Sequence, residues 1–405
     1  MTSVDMQGKS GQFHLSMLLY DTRYRSLTIQ AIAAILFMVA AAWLVNNTVT
    51  NLDALGKSFD FSFLGMRAGY DINQHLIPYT NDDTHARAAV VGILNTLLIA
   101  FVGCITATLI GVVMGVLRLS KNFIIARLAS IYVEAFRNVP VLLWIVAIMA
   151  MITETAPPPT AFRGDNATAS MIFGSFAVTN RGLYMPWPVF GPGWQIVALA
   201  FVGSLIAIWL FGRYAARRQE ETGETLPTVW IKLALLILPA VLVDFALGGA
   251  MSLDFPVLGR FNFSGGGFVD KSFLALWVAL SLYTGAFIAE IVRAGILSVS
   301  RGQSEAAGAL GLRPNRVMNL VVLPQALRVI IPPLISQYLN LTKNSSLAIA
   351  VGYMDVRATL GGITMNQTGR ELECMLLLMA FYLIICLSIS TAMNWYNSRV
   401  ALKER

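Results

Sequence analysis

The sequence predicts an all-α integral membrane protein with about eight transmembrane helices. Of its 405 residues, 56% are hydrophobic and only 13% are charged, whereas about 25% of the residues in a soluble domain are charged. The apolar residues gather in stretches of about 20, the length that crosses a bilayer as a helix, and the basic residues lie mostly between them. Because backbone groups find no water inside lipid, these stretches are expected to be helical.

Eight stretches meet this length criterion. They cover residues 27–46, 89–117, 123–151, 193–211, 229–247, 272–297, 326–352 and 374–397. The first follows Arg23 and Arg25 as the apolar part of a signal peptide would. Because "AAAWLVNN" offers no convincing cleavage site, we expect an uncleaved anchor there.

The basic residues predict the orientation of the spans. With the N-terminus in the cytoplasm, sixteen Lys and Arg residues fall in the inner segments and nine in the outer ones, as the positive-inside rule requires. Both termini and residues 298–315 are then expected in the cytoplasm, and the loops 47–88, 152–192 and 248–271 outside. The net charge of +7 thus reflects membrane orientation, not nucleic-acid binding.

The cysteines and histidines predict neither a disulfide framework nor a metal site. The three cysteines all lie in apolar segments, so they do not resemble the spaced cysteines of a secreted scaffold. His75, His85, Asp82 and Asp83 fall in the first outer loop, but their spacing matches no ligand pattern. A solvated loop is expected there. The triple proline of "TETAPPPTAFRGDNATAS" predicts an extended connector in the second outer loop.

The segment Gly302–Ala326, "GQSEAAGALGLRPNRVMNLVVLPQA", predicts a short helix, a turn and the entry of the next span. Two preceding serines can cap the helix, and Glu305 suits its N-terminal dipole. Gly311 fits a left-handed helix end, and Arg313–Pro314 requires a turn. Small side chains would let another surface approach closely. From the residues alone, a docking helix and a mere connecting loop are equally supported.

The same segment resembles the EAA loop of ABC-importer permease subunits. The resemblance rests on "EAAGALG…LP", that is Glu305, Ala306, Ala307, Gly311 and Leu323–Pro324. In that family the EAA helix carries motion from an ATPase into the membrane helices.

Neighbouring motifs resemble the polar amino acid branch of that family. They are "YTGAFIAEIVRAGILSVSRGQSEAAGALG", "LPQALRVIIPPLISQYLNLTKNSSLA" and, upstream, "GILNTLLIAF" and "YVEAFRNVPVLLWI". Five motifs in the family's order, over 89–151 and 272–397, make the resemblance specific.

The resemblance also divides the chain into regions. The family core has five helices, which map onto the second, third, sixth, seventh and eighth spans. Residues 89–151 hold the first part of the core, and 272–405 hold the second part with the coupling loop at 298–324. The region 1–88 and the insertion 152–271, which carries two further spans, are departures. Such an enlarged form resembles the general L-amino-acid permeases, which include transporters of glutamate, glutamine, aspartate and asparagine.

The resemblance implies a permease subunit of an ATP-driven, binding-protein-dependent importer of polar L-amino acids in the bacterial inner membrane. Its implied partners are two ATPase subunits, a periplasmic amino-acid-binding protein, membrane lipid and a second, related permease, with a heterodimer favoured over a homodimer. ATP and magnesium would bind to the ATPase, because "GKS" at 8–10 and 56–58 lacks the earlier glycine of a phosphate-binding loop. The chain itself is expected to be no enzyme and to bind no cofactor and no nucleic acid.

Two other functions are possible from the residues. An ion-driven secondary transporter of amino acids would need acids or histidines within the spans; Glu134, Asp244 and Glu290 are present, but no histidine lies there. The EAA loop would have no role in such a transporter. A membrane enzyme would need a nucleophile and a base or a metal pattern, and the sequence has neither.

Two sets of site residues follow. The residues expected to couple to the ATPase are Gly302, Gln303, Glu305, Ala306, Ala307, Gly311 and Pro324. The residues expected along the substrate pathway are Lys343, Asn344, Ser345, Ser346, Glu134, Arg137 and Asn138. No catalytic or metal-binding residue is expected.

The polar residues inside the spans leave alternatives open. A charged side chain at mid-membrane is costly, so Lys343 should face protein, water or substrate. A lysine that snorkels to the outer interface is equally supported. Glu134 and Arg137 are three residues apart and could pair, as could Glu290 and Arg293; for the second pair we expect a structural role.

Overall fold

The computed structural model describes residues 22–54, 56, 59–164, 167–223 and 226–400. The terminal segments predicted to be cytoplasmic, 1–21 and 401–405, lie outside the described residues. The chain divides into two compact units, Met1–Leu64 and Gly65–Arg405. The first unit contains helix α1 (Thr22–Ala54), and the 3₁₀ turn Ser62–Gly65 follows it.

The second unit is built mainly of helices. They are α2 (His85–Leu117), α3 (Phe123–Asn138), α4 (Val141–Thr155), α5 (Trp194–Thr222), α6 (Thr228–Ala246), α7 (Lys271–Leu297), α8 (Arg301–Ala309), α9 (Pro314–Val317), α10 (Leu323–Asn344), α11 (Val356–Ala358), α12 (Met365–Thr368) and α13 (Glu371–Val400). Met318–Val322 and Thr359–Thr364 are π-helical turns, and Pro159–Phe162 and Ser345–Val351 are 3₁₀ turns.

The helices confirm the predicted fold class of about eight spans. Among the described residues, seven helices are long and apolar enough to cross a membrane, and the bent pair α3 and α4 passes the same test together. The seven are α1, α2, α5, α6, α7, the continuous helix Pro314–Val351 and α13.

The third predicted span, 123–151, is not one continuous helix. It consists of α3 and α4, which meet at an angle of 108°. Pro140 has no amide hydrogen, and its ring disfavours a helical conformation of the preceding residue. Val139 is accordingly extended, with φ −111° and ψ 133°. The segment is helical as predicted, but the apolar length of a segment does not reveal such a bend.

The seventh span begins earlier than the predicted residue 326. Helix α9, the π-helical turn Met318–Val322, α10 and the 3₁₀ turn Ser345–Val351 form one continuous helical stretch from Pro314 to Val351. The amide of Leu323 donates to the carbonyl of Met318, five residues earlier. Pro324 follows at once and has no amide to donate. A π turn just before this proline therefore widens the helix without interrupting it.

Glycines bring α2 and α7 into close contact. A Cβ placed on Gly111 would lie 2.5 Å from the Cβ of Ile288, and one on Gly115 would lie 2.7 Å from the carbonyl oxygen of Ala289. Small residues let membrane helices approach closely enough for their backbones to pack. The contact fixes the stretch of α7 that contains Glu290.

The two outer loops of the insertion form short strands, which the sequence did not predict. The segment predicted as an extended connector precedes them; its backbone is extended at Ala156 and Pro158, and the 3₁₀ turn Pro159–Phe162 follows. The strands are β1 (Ala177–Thr179), β2 (Gly182–Met185), β3 (Trp187–Phe190), β4 (Met251–Asp254), β5 (Val257–Leu258), β6 (Phe263–Ser264) and β7 (Gly267–Asp270). They pair antiparallel as β1–β2–β7, β3–β4 and β5–β6. Because β2 and β7 come from different loops, the sheet ties the two ends of the insertion together next to the start of α7.

The region predicted as 1–88 is divided by the structure. Residues after Leu64 belong to the second unit, where Ala68, Ile72 and Tyr79 are buried in one cluster with Ala88 and Val91 of α2. This segment therefore packs on the permease-like core and does not form a free loop.

His85 is buried, contrary to the expectation of a solvated loop. It is the first residue of α2, and its Nδ1 lies 3.0 Å from Oγ1 of Thr364. The Tyr70 hydroxyl also lies 3.1 Å from this Thr364 oxygen. The described residues contain no group of three or more His, Cys, Asp or Glu that could hold a metal ion.

Candidate functional site

The short helix predicted between the sixth and seventh spans is α8. It follows Ser300, which has an extended backbone but makes no side-chain capping bond. Ser298 instead closes α7, with its hydroxyl donating to the carbonyl of Gly295 at 2.7 Å. Gly311 follows α8 with φ +80°, and its amide donates to Gly308 at 2.9 Å. This left-handed conformation favours glycine, and it confirms the predicted helix end.

One side of α8 is occupied by the chain itself. Ala307 is only 6% exposed and packs in one cluster with Val317 and Val322. Ala307, one of the residues expected to couple to the ATPase, is thus buried within the chain. Its small side chain lets α8 pack closely against the helix that begins at Pro314.

Most of the remaining surface of α8 is exposed. Gly302, Gln303, Glu305 and Ala306 are all exposed. Leu310, directly after α8 and not among the predicted coupling residues, is 83% exposed, although burial of an apolar side chain of this size is favourable. We call these five residues the α8 face. Pro324 is exposed as well but lies in the first turn of α10, next to the π-helical turn.

Helix α10 has a polar face that includes Lys343. Ser336, Asn340 and Lys343 are all exposed, and their spacing of four and then three residues places them on one side of the helix. The described chain gives the Lys343 ammonium no hydrogen-bond or ion-pair partner. Polar side chains on a spanning helix normally face protein, water or a ligand. We call these three residues the α10 polar face.

The serines after Lys343 are less accessible than predicted. Ser345 is completely buried, and its hydroxyl donates to the carbonyl of Thr342 at 2.7 Å. The partly exposed Ser346 donates to the carbonyl of Lys343 at 2.7 Å. Both hydroxyls thus use their protons to close the end of α10. Asn344 is partly exposed and directly follows Lys343.

Arg137 does not pair with Glu134 as the spacing predicts. Its Nη1 lies 3.6 Å from Oε2 of Glu290, and the exposed Glu134 has no ion-pair partner among the described residues. The predicted pair of Glu290 and Arg293 is present, at 3.1 Å. Asn138 is exposed at the last turn of α3, next to the bend.

The two groups of predicted pathway residues are not joined directly. Within the described ranges, no hydrogen bond or ion pair connects Lys343 to Glu134, Arg137 or Asn138. The link is through packing, because Ala348 of the turn after α10 shares the buried core with Ile145 of α4.

Comparison with known proteins identifies the family. The family model described as "Binding-protein-dependent transport system inner membrane component" matches residues 221–402. A glutamate/glutamine/aspartate/asparagine transport system permease protein of Rhodobacter capsulatus is 55% identical over 417 residues, covering 97% of each chain. This chain belongs to the amino acid ABC transporter permeases.

Two further permeases match nearly all of this permease. A general L-amino acid transport system permease protein of Rhizobium johnstonii is 44% identical and covers 99% of this chain and 98% of its own. A putative amino-acid ABC transporter permease protein of Escherichia coli is 43% identical, and the match covers 94% of this chain and 95% of that protein. The insertion 152–271 therefore lies inside the matched length of relatives that are also enlarged.

Family membership assigns the chain its place in a transporter. It is a multi-pass permease subunit and not an enzyme, because ATP hydrolysis in an ABC importer belongs to a separate ATPase subunit. The alternative of an ion-driven secondary transporter has no support among these relatives.

Proposed function

We propose that this permease forms one half of the membrane pathway of an importer for polar L-amino acids with acid or amide side chains. The observation that carries the substrate class is the 55% identity, over 97% of the chain, to a permease named for glutamate, glutamine, aspartate and asparagine transport. These four substrates share an α-amino and an α-carboxyl group and a short polar side chain, so one pathway of limited width can serve them all.

The α8 face is proposed as the contact with the ATPase. Its glycine and alanine allow a second surface to approach the helix backbone, Leu310 supplies apolar area to bury, and Glu305 can accept a charged hydrogen bond. Ala307 packs α8 against the following helix, and Gly311 forms the turn that ends α8. ATP and magnesium are then bound by the ATPase.

The α10 polar face is proposed as part of the substrate pathway. In lipid, Ser336, Asn340 and Lys343 would be exposed at considerable cost, whereas a water-filled pathway or a second permease removes that cost. The Lys343 ammonium is a natural partner for an amino acid carboxylate. Asn344 and the α3 residue Asn138 remain proposed contacts farther along the route, whereas Arg137 is engaged by Glu290.

The proposed assembly contains a second permease. An exposed polar face on a spanning helix needs a partner, and a related enlarged permease supplies a similar face across the pathway. A binding protein delivers the amino acid on the outside, and two ATPase subunits act on the inside. With this arrangement in the bacterial inner membrane, both termini and α8 lie in the cytoplasm.

The proposed function is tested with the purified complex in proteoliposomes. With ATP enclosed and binding protein outside, we expect uptake of radiolabelled glutamate, glutamine, aspartate and asparagine. Omission of the binding protein or of ATP should abolish uptake. Uptake that continues without ATP and follows an imposed ion gradient would contradict an ATP-driven importer.

The proposed orientation predicts a labelling pattern. In a chain whose three cysteines have been replaced, Ser170→Cys in the second outer loop should react with a membrane-impermeant thiol reagent added to intact spheroplasts. Gln219→Cys, near the end of α5 beside Arg217, should react only after permeabilisation. Both positions are exposed in the described chain, so a difference in labelling reports the side of the membrane and not burial of the cysteine. Equal labelling of both in intact spheroplasts would rule out this topology.

A further inference from the structure

The carboxylate of Glu290 lies close to three arginines in the part of α7 that leads to α8. Glu290 of α7 pairs with Arg118, which follows the last turn of α2, and with Arg293 of α7 at 3.1 Å. Arg137 of α3 completes the group, with its Nη1 3.6 Å from Glu290 Oε2. Three positive charges from three helices thus share one negative charge. We call these four residues the Glu290 hub.

The hub lies next to the bend between α3 and α4. The Arg137 guanidinium also lies over the ring of Phe287 of α7, 5.2 Å from its centre. Across the bend, the rings of Phe136 and Trp144 stack with their centres 4.1 Å apart. The end of α3 is therefore attached to α7 by charge and to α4 by an aromatic contact.

The hub is also connected to α8. Glu290 is seven residues from Leu297, the last residue of α7, which corresponds to about 10 Å of helix. At that end, Ile296 of α7 and Val299, two residues past it, pack against the cluster that holds the buried Ala307 of α8. Helix α8 is thus in contact with the end of α7, and two turns of continuous helix connect that end to Glu290.

We propose that the Glu290 hub transmits movement of α8 to the α3–α4 bend, with Glu290 as a positioning residue for transport; this rests on the coupling role proposed above for α8. The carboxylate is required because it is the only negative charge in the hub. Without it, three like charges repel one another, and α3 no longer follows α7.

The test compares two arginines of the same helix. Arg137→Gln removes the link to α3 while Glu290 keeps Arg118 and Arg293, so the helices should still assemble. Arg127→Gln removes an equal charge from an exposed position of α3 that makes no ion pair in the described chain. Glu290→Gln removes the carboxylate, and Glu290→Asp keeps its charge on a shorter side chain.

Uptake and ATP hydrolysis are measured in the same proteoliposomes with the complete complex. We expect amino acids moved per ATP to fall at least about fivefold for Arg137→Gln and Glu290→Gln, the lower end of typical coupling between sites. Glu290→Asp should recover part of the loss, and Arg127→Gln should match the wild type.

The proposal would be overturned if Arg137→Gln and Glu290→Gln both move as many amino acids per ATP as the wild type. So would poor assembly with an unchanged ratio in the complexes that do form, because the hub would then be only structural. These results leave the proposed function intact as long as the wild-type complex shows ATP-dependent uptake. If the wild type shows none, the proposed function itself fails.

Discussion

Ala306→Trp is expected to abolish amino acid uptake while the permease still inserts and folds. Ala306 lies on the exposed α8 face, so a large side chain there can extend into solvent in the isolated permease, but it prevents close approach of the ATPase. Loss of a central contact in an interface typically costs about 2 kcal/mol or more, which is roughly a 30-fold weaker association. Copurification of the ATPase with the tagged permease measures this directly.

Ala307→Trp provides the contrast one residue along the same helix. Because Ala307 is buried against Val317 and Val322, this tryptophan should displace α8 and lower the thermal stability of the isolated permease. Ala306→Trp should leave that stability unchanged. If the Ala306→Trp complex assembles and transports like the wild type, α8 does not dock the ATPase through this face.

Gly311 offers a second way to disturb α8. Replacement by proline would require φ near −65° where the chain has +80°, and it would remove the amide that donates to Gly308. Gly311→Ala retains the amide and should cost about 1–2 kcal/mol through its left-handed backbone. Uptake is expected to fall in the order wild type, Gly311→Ala, Gly311→Pro; equal uptake by all three would show that the geometry of this helix end is unimportant.

The sequence predicts the helical elements well because lipid leaves few alternatives. Apolar length locates the spans, and glycine and proline chemistry locates the end of α8 at Gly311. The sequence predicts less well which side of a helix is buried and which side is exposed. Which side of a nine-residue alanine-rich helix is buried depends on Val317 and Val322, which reach Ala307 only after the following helix has folded back.

Ion pairs show the same limit. Residues three apart on one helix can meet, and this spacing correctly predicts Glu290 with Arg293. It fails for Glu134 with Arg137, because Arg137 lies next to Glu290 of α7 instead. The short strands of the insertion were also missed, since two of the paired strands, β2 and β7, are separated by two spanning helices. Such contacts are non-local, and periodicity within one segment does not detect them.

Lys343→Met is expected to lower uptake strongly without changing assembly. Methionine has a similar length but no charge, so it preserves the volume at this exposed position of α10 and removes the partner for a carboxylate. A hydrogen bond to a charged group contributes about 1.5–3 kcal/mol, which corresponds to a loss of roughly 10- to 150-fold in uptake efficiency at low substrate concentration. Initial rates in proteoliposomes over a range of glutamate and glutamine concentrations measure it.

Lys343→Arg separates a role in the pathway from a role as a membrane anchor. Arginine keeps the positive charge and also snorkels to an interface, so it should support much more uptake than methionine if charge acts on the substrate. An anchoring lysine predicts a different result, because its replacement by methionine would disturb insertion or assembly and leave the rate per assembled complex unchanged. If Lys343→Met transports at the wild-type rate per assembled complex at every concentration, the α10 polar face does not contact the amino acid through Lys343. A loss restored by arginine would instead favour Lys343 as a carboxylate contact, and the neighbouring Asn340 would then be the next residue to test.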